Sequence, residues 1–211
     1  LTGGLVNDRV LQRLIKQSFY KAAVQLTGNG LPWGMLTGIR PAKLASRALE
    51  AGMSSEEVHT LFLDTYFVSQ SRTELALDAA QAGLAVKRSL KPDEISLYIG
   101  IPFCPTRCAY CSFVSADVQK ALKLVEPYLD GLCQEMAASA AYLRQAGLFI
   151  RTIYIGGGTP TTLTAPQLER LLTQVEQCFD LSRLTEYTVE AGRPDTITAD
   201  KLAVLKAHHV D

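Results

Sequence analysis

Apolar residues recur along the chain with two different periods, and the change between them divides the sequence. From residue 8 to residue 86 apolar side chains return every three or four positions, which predicts amphipathic helices. From residue 94 onward short aliphatic runs alternate with helical patterns, three times in succession. That alternation is typical of a parallel sheet covered by helices. We therefore predict an N-terminal helical module over residues 1–92 and an α/β domain over residues 93–211.

The helical module is predicted to contain four helices. Their approximate ranges, set by Gly and Pro breaks and by the N-cap and acidic first turn at 54–57, are 8–26, 41–51, 54–67 and 71–86. Between the first two helices lies a Gly- and Pro-rich turn with the single tryptophan, Trp33. We expect Trp33 to hold this turn against the helical core.

Strands and helices of the α/β domain follow from the same patterns. Strands are predicted at 95–101, 151–155 and 186–190, and helices at about 126–146, 165–178 and 198–206. Proline is tolerated in a first helical turn, so the first of these helices is expected to place Pro127 there. Cys133 and Cys178 lie on the apolar stripes of their helices, which predicts that both are small core residues.

Composition and charge limit the class of protein. With 211 residues and 47% apolar content the chain can build a substantial core, and it contains no apolar run long enough to span a membrane and no signal peptide. Because the chain has five cysteines, an odd number, they cannot all pair in disulfides within it, which favours a reducing, cytoplasmic setting. The net charge is zero, with more basic residues in the first module and more acidic residues in the second. Neither part is basic enough to indicate nucleic-acid binding.

Three cysteines lie within eight residues of a loop at 101–115, directly after the first predicted strand. Cys104, Cys108 and Cys111 have the spacing C-x3-C-x2-C. A structural zinc site normally needs four ligands, and no second cysteine or histidine pair follows. Three thiolates on one short loop suit an iron–sulfur cluster that leaves one iron without a protein ligand. A zinc knuckle completed by a distant residue, or a disulfide loop, are the alternatives.

The loop resembles the cluster-binding motif of radical S-adenosylmethionine (SAM) enzymes, including the aromatic Tyr110 before the third cysteine. The longer string Leu-Tyr-Ile-Gly-Ile-Pro-Phe-Cys-Pro-Thr-Arg-Cys-Ala-Tyr-Cys-Ser-Phe is similar to the oxygen-independent coproporphyrinogen III oxidase family, particularly its coproporphyrinogen dehydrogenase (HemZ-type) branch. Better-known members have His at the position of Gly100, so this departure favours that branch. The resemblance implies that the three thiols ligate a 4Fe–4S cluster and that SAM binds the fourth iron.

Two further features come at the ends of the next two strands. Gly156, Gly157 and Gly158 are followed by Thr159 and a proline, and Glu190 ends the third strand. In parallel α/β sheets ligands bind at the carboxyl ends of the strands, so one site built from all three strand ends is expected. The family resemblance implies that the Gly-Gly-Gly-Thr-Pro stretch and Glu190 contact SAM. A phosphate loop is the alternative for the glycines, and an ion pair with Arg193 for Glu190.

Tyr98 is the remaining candidate. It matches a family tyrosine near the SAM site, although an inward-facing strand aromatic would look the same. No catalytic side chain is assigned, because the resemblance implies that the radical is generated on SAM at the cluster.

The implied fold is an incomplete radical SAM partial (β/α)6 barrel with about three β/α units. The implied activity is oxidative decarboxylation of coproporphyrinogen III propionates to vinyl groups, giving protoporphyrinogen IX in haem biosynthesis. The implied partners are the tetrapyrrole and a one-electron donor such as flavodoxin or ferredoxin, with no nucleic acid and no membrane.

Two other functions compete with this one. One is a haem chaperone of the same superfamily, and the other is a non-catalytic metal-binding domain. The chain begins without Met and has only three of the six expected strand–helix units, so we expect a fragment that is inactive alone.

Overall fold

A computed structural model describes residues 2–112 and 116–211, without the side chains of residues 2–7 and 118–120. Residues 113–115, the end of the predicted cysteine loop, lie outside the described residues. The chain divides into two compact units, the first ending at Leu90 and the second spanning Lys91–Asp211.

The first unit is helical, as the periodicity predicts. Its helices are α1 (Thr2–Thr27), α2 (Pro41–Glu50), α3 (Ser55–Thr60) and α4 (Gln70–Ser89). A reciprocal capping box between Ser54 and Glu57 starts α3, and one π-helical turn (Leu61–Thr65) continues it. Trp33 packs against the buried cluster of this unit, which contains Ala45, Val58, Phe62, Val68, Ala76, Leu77 and Ala80.

The second unit is built on a parallel sheet. Its strands are β1 (Glu94–Ile101), β4 (Phe149–Gly157) and β5 (Glu186–Val189), in the order β1-β4-β5. Two short strands, β2 (Phe103–Cys104) and β3 (Ala116–Asp117), form a separate parallel pair. The helices are α5 (Val118–Ala146), α6 (Ala165–Cys178) and α7 (Ala199–Ala207).

The two faces of the sheet differ in chemistry. One face is aliphatic and forms a single buried cluster with side chains of α5, α6 and α7, for example Ile99, Ile153, Leu129, Leu171 and Leu205. The positions that alternate with these aliphatic residues carry no aliphatic side chain, either on the three strands or at Glu190, the residue directly after β5. They are Ser96, Tyr98, Gly100, Thr152, Tyr154, Gly156, Glu186, Thr188 and Glu190. We call this set the polar face.

The start of α5 differs from the prediction. The helix begins at Val118, directly after β3, and Pro127 therefore lies inside it and not in its first turn. The placement is tolerated because Pro127 and Lys123, whose carbonyl loses its helical donor, are both solvent-exposed. Water can satisfy the freed carbonyl.

The predicted fold class is confirmed: a helical module precedes an α/β unit with three parallel strand–helix repeats. The helix at 165–178 begins and ends at the predicted residues, while β4 continues into the first two glycines of the triple-glycine stretch. None of the helices in the described part of the chain is both long and apolar enough to cross a lipid bilayer.

Candidate functional site

The cysteine loop and the glycine stretch are joined directly by hydrogen bonds. The backbone N–H of Gly158 donates to the carbonyl of Ile101 at 2.8 Å, and that of Thr159 donates to the carbonyl of Phe103 at 2.8 Å. The Thr159 hydroxyl lies 3.5 Å from the Sγ of Cys104 and donates to it. The carboxyl ends of β1 and β4 therefore meet at the first cysteine.

The short β2–β3 pair closes the base of the cysteine loop. Cys104 is in register with Asp117, and the Ala116 N–H donates to the Pro102 carbonyl at 2.7 Å. Within the loop, the Cys111 N–H donates to the Cys108 carbonyl at 3.1 Å, which makes a turn that brings the second and third cysteines together. All three thiols are half-buried, whereas the Tyr110 side chain is 90% exposed. The neighbouring Cys108 side chain raises the pKa of the Tyr110 hydroxyl.

Each of the three glycines is required for a different reason. A Cβ on Gly156 would lie 2.7 Å from the Tyr154 ring and 3.0 Å from a Glu190 carboxylate oxygen. Gly157 has φ +113°, which other residues rarely adopt, and lies against the backbone of Ile101. A Cβ on Gly158 would lie 2.6 Å from the Phe103 carbonyl oxygen and 3.0 Å from the Cys104 sulfur. The glycine stretch therefore lies against Glu190, a residue expected to contact SAM, at one end and against the cysteine loop at the other.

Glu190 lies beside a pair of tyrosines on the polar face. The Tyr154 hydroxyl donates to Glu190 Oε1 at 2.5 Å. This bond is the main reason that the pKa of Tyr154 rises to about 12, so the hydroxyl remains a donor throughout the neutral range. The Tyr154 ring stacks on that of Tyr98, with centroids 5.9 Å apart, and the Tyr98 side chain is 60% exposed.

Arg193 connects the end of the third strand to the cysteine loop. Its Nη1 lies 3.2 Å from the Thr106 hydroxyl and 3.5 Å from the Cys108 sulfur. Its ion pair is with Asp195, at 2.9 Å, and this pairing lowers the pKa of the Asp195 carboxyl. Among the described residues, Arg193 forms no ion pair with Glu190, the alternative considered for that carboxylate.

The donor set fits an iron–sulfur cluster. All five cysteines are free thiols, and Cys133 and Cys178 pack against the core of the second unit. In the described residues no three His, Cys, Asp or Glu side chains converge on a point suited to a single ion. The ligands of an iron–sulfur cluster do not have to converge on one metal position, because each thiolate binds a different iron.

Two residues that the sequence analysis did not assign contact this site. Tyr154 precedes Gly156 by two positions and therefore shares its face of β4, a signal that strand alternation could have provided. Arg193 reaches a loop 87 residues earlier in the chain, and no local pattern marks that contact.

Comparison with known proteins gives sequence relatives over most of the chain. The oxygen-independent coproporphyrinogen-III oxidase-like protein HemZ of Bacillus subtilis is 43% identical over 188 residues, which is 88% of this chain and 38% of that protein. The haem chaperone HemW of Bacillus subtilis is 43% identical over 112 residues, 53% of this chain and 28% of that protein. The chain thus spans well under half the length of these relatives. No protein-family model matches it.

A solved structure is also similar. The coproporphyrinogen III oxidase HemN from Escherichia coli, described as a radical SAM enzyme, is 31% identical with a TM-score of 0.49, and the match covers 62% of this chain and 29% of that one.

Three parallel β/α units with a C-x3-C-x2-C loop after the first strand, and close sequence relatives, define the chain as a radical SAM protein. It belongs to the family that includes oxygen-independent coproporphyrinogen III oxidase and its HemZ-like and HemW relatives.

Proposed function

We propose that Cys104, Cys108 and Cys111 hold a 4Fe–4S cluster with SAM on its open iron, and that the protein converts propionates of coproporphyrinogen III to vinyl groups without oxygen. The bound cluster and SAM would supply one-electron chemistry, and the chain would supply their binding and orientation. A one-electron donor such as flavodoxin or ferredoxin would be required.

The observation that carries this proposal is the meeting of all three strand ends. Thr159 contacts the sulfur of Cys104, Arg193 contacts that of Cys108, and Gly156 lies against Glu190. Because Gly156 has no Cβ, the Tyr154 ring and the Glu190 carboxylate can lie against its backbone, and that carboxylate can accept a hydrogen bond from the amino group of SAM. The polar face provides hydroxyl and carboxylate groups where an apolar face would exclude a polar ligand.

A haem chaperone is the second candidate, because HemW proteins are also relatives. The lengths of the two matches favour the oxidase-like function. The HemZ match of 188 residues exceeds the length of the second unit, so it includes part of the first unit as well. The HemW match is short enough to fit within the second unit.

Iron and acid-labile sulfide analysis of the anaerobically reconstituted chain tests the cofactor assignment. We expect a cluster whose reduced electron paramagnetic resonance signal changes when SAM is added, and no cluster in Cys104→Ala. Zinc without iron or sulfide would overturn the proposal and support a non-catalytic metal-binding domain.

Anaerobic incubation of the intact protein with coproporphyrinogen III, SAM and a reductant then separates the two candidates. Formation of protoporphyrinogen IX supports the oxidase. Stoichiometric haem binding without any vinyl product supports the chaperone and contradicts the oxidase.

A further inference from the structure

The guanidinium of Arg193 divides its donors between two partners. Nε and Nη2 bind the Asp195 carboxylate at 3.0 and 2.9 Å, which holds the plane of the group. Nη1 faces the cysteine loop, 3.2 Å from the Thr106 hydroxyl, 3.5 Å from the Thr106 carbonyl and 3.5 Å from the Cys108 sulfur, and Nη2 also lies 3.3 Å from the Thr106 hydroxyl. The Arg193 side chain thus contacts the loop at Thr106, between the first two cysteines, and at the second cysteine, Cys108.

The backbone that carries Arg193 is itself anchored. The Arg193 carbonyl accepts from both the N–H and the hydroxyl of Thr196, at 3.0 and 2.7 Å. The Thr196 hydroxyl pairs with that of Thr161 at 2.6 Å, in a buried contact with the turn that follows the glycine stretch. The Lys201 ammonium donates to the carbonyls of both threonines, at 2.7 and 2.9 Å. The backbone that carries the guanidinium is therefore fixed by hydrogen bonds to residues that follow β4 and β5, and the Arg193 side chain is only 25% exposed.

We infer that Arg193 is a positioning residue for the cluster-binding loop, which ties the loop to the third strand and donates a hydrogen bond to the sulfur of Cys108. Hydrogen bonds to ligand sulfurs withdraw electron density and stabilise the reduced form of an iron–sulfur cluster. Asp195 neutralises the charge of the Arg193 guanidinium. We therefore expect the hydrogen bond to the sulfur to affect the reduction potential of the cluster more than the net charge does. This inference rests on the proposed function only where it concerns the cluster; the tie to the loop stands without it.

The contact between Arg193 and the loop can be tested by the rate of tryptic cleavage after Arg107 in the full chain without iron. Arg193 is followed by proline, so its replacement deletes no efficient trypsin site. Arg107 lies between Thr106 and Cys108, the two loop residues that Arg193 contacts. We expect Arg193→Met to be cleaved after Arg107 several-fold faster than the unsubstituted chain. Arg40→Met is the matched control, because Arg40 is also followed by proline and belongs to the first unit, not to the loop. Equal cleavage rates in Arg193→Met and Arg40→Met would overturn the inference.

The midpoint potential of the reconstituted cluster, measured by a redox titration followed by electron paramagnetic resonance, tests the hydrogen bond. We expect a negative shift in Arg193→Met and a positive shift in Asp195→Asn, which removes a nearby negative charge but keeps the donor. If Arg193→Met retains no iron, Arg193→Lys replaces it in the titration. Unchanged potentials in the arginine variant that is titrated contradict the role of the hydrogen bond.

These outcomes are distinct from failure of the proposed function. An unsubstituted chain that takes up no iron and sulfide defeats the cluster assignment, while the cleavage rates still decide whether Arg193 holds the loop.

Discussion

At the scale of single residues, the site separates into predicted ligands and the groups that hold them. The three loop cysteines are free and half-buried, and two of them have an identified donor at the sulfur, Thr159 for Cys104 and Arg193 for Cys108. Cys133 and Cys178 pack against the core. Substitutions can test this separation because each residue has distinct neighbours.

Alanine at Cys104, Cys108 or Cys111 should abolish the cluster, because a site with three thiolates has no spare ligand. Cys133→Ala and Cys178→Ala should keep it, since their thiols are packing groups. Iron stoichiometry after anaerobic reconstitution measures the difference. Loss of iron from the Cys133 variant, with retention in one of the loop variants, would contradict the ligand assignment.

Two glycines of the triple-glycine stretch should give different defects. In Gly158→Ala the new methyl group would press on the Phe103 carbonyl and the Cys104 sulfur, so we expect most of the iron to be lost. In Gly156→Ala it would displace Glu190, so the cluster should remain and SAM binding should weaken several-fold. Iron content and the SAM-induced change in the resonance signal distinguish them. Gly131→Ala, with nothing within 4 Å of the new methyl, is the control and should change neither.

Tyr154→Phe should weaken SAM binding while leaving iron content unchanged. The lost hydrogen bond to the Glu190 carboxylate is partly exposed, so we expect a loss of about 1 kcal/mol, or about fivefold in affinity. Titration of the reduced cluster with SAM measures it, with Tyr142→Phe on the exposed face of α5 as the control. Equal affinities for the two variants would show that Tyr154 does not support Glu190.

At the scale of elements, a buried histidine joins α7 to α6. His208 lies at the end of α7 with a side chain only 9% exposed, and its ring nitrogens lie 2.7 Å from Glu176 and 3.2 Å from Glu169. Burial lowers the pKa of His208, but the hydrogen bonds and charges of the two carboxylates outweigh it and raise the pKa above its usual value. The contact therefore stabilises the protein most when the ring is charged.

The sign of the pH dependence follows from this raised pKa. The stabilisation is fully present below the unfolded-state pKa of about 6.5 and is lost as the pH rises through the higher folded-state value. Because both carboxylates are partly exposed, we expect a contribution of about 1 kcal/mol. The difference in free energy of unfolding between the unsubstituted chain and His208→Gln, measured in urea, should be larger at pH 6 than at pH 9. A difference that stays constant between pH 6 and pH 9 would contradict the raised pKa of His208.

At the scale of the whole molecule, two hydrophobic clusters lie in separate compact units. The single tryptophan, Trp33, packs against the first cluster, and the cysteine loop belongs to the second unit. Binding a cofactor stabilises only the unit that holds it, unless the units unfold as one.

We therefore expect loading of the cluster to raise the midpoint of the calorimetric transition of the second unit. The thermal midpoint reported by Trp33 fluorescence should stay unchanged. Calorimetry and fluorescence on the same anaerobic samples, with Cys104→Ala as the unloaded control, make the comparison. A shift of both midpoints by the same amount would show that the units unfold together.

Local sequence determined the type of nearly every element and the residues at the strand ends. The helix at 165–178 and the cap at Ser54 follow from periodicity and capping chemistry, which act over a few residues. The boundary of α5 could not be obtained in this way, because Pro127 marks a helix start locally but is tolerated on an exposed face of a helix that begins after β3.

Contacts between distant parts of the chain were decided by the tertiary structure alone. Tyr154 reaches Glu190 across 36 residues and Arg193 reaches Thr106 across 87, because parallel strands bring their carboxyl ends to one edge whatever their separation in sequence. The sequence thus determined which cysteines, glycines and carboxylate lie at that edge. Which side chains hold them in place depended on the register of the strands and on the packing of the turns that follow them.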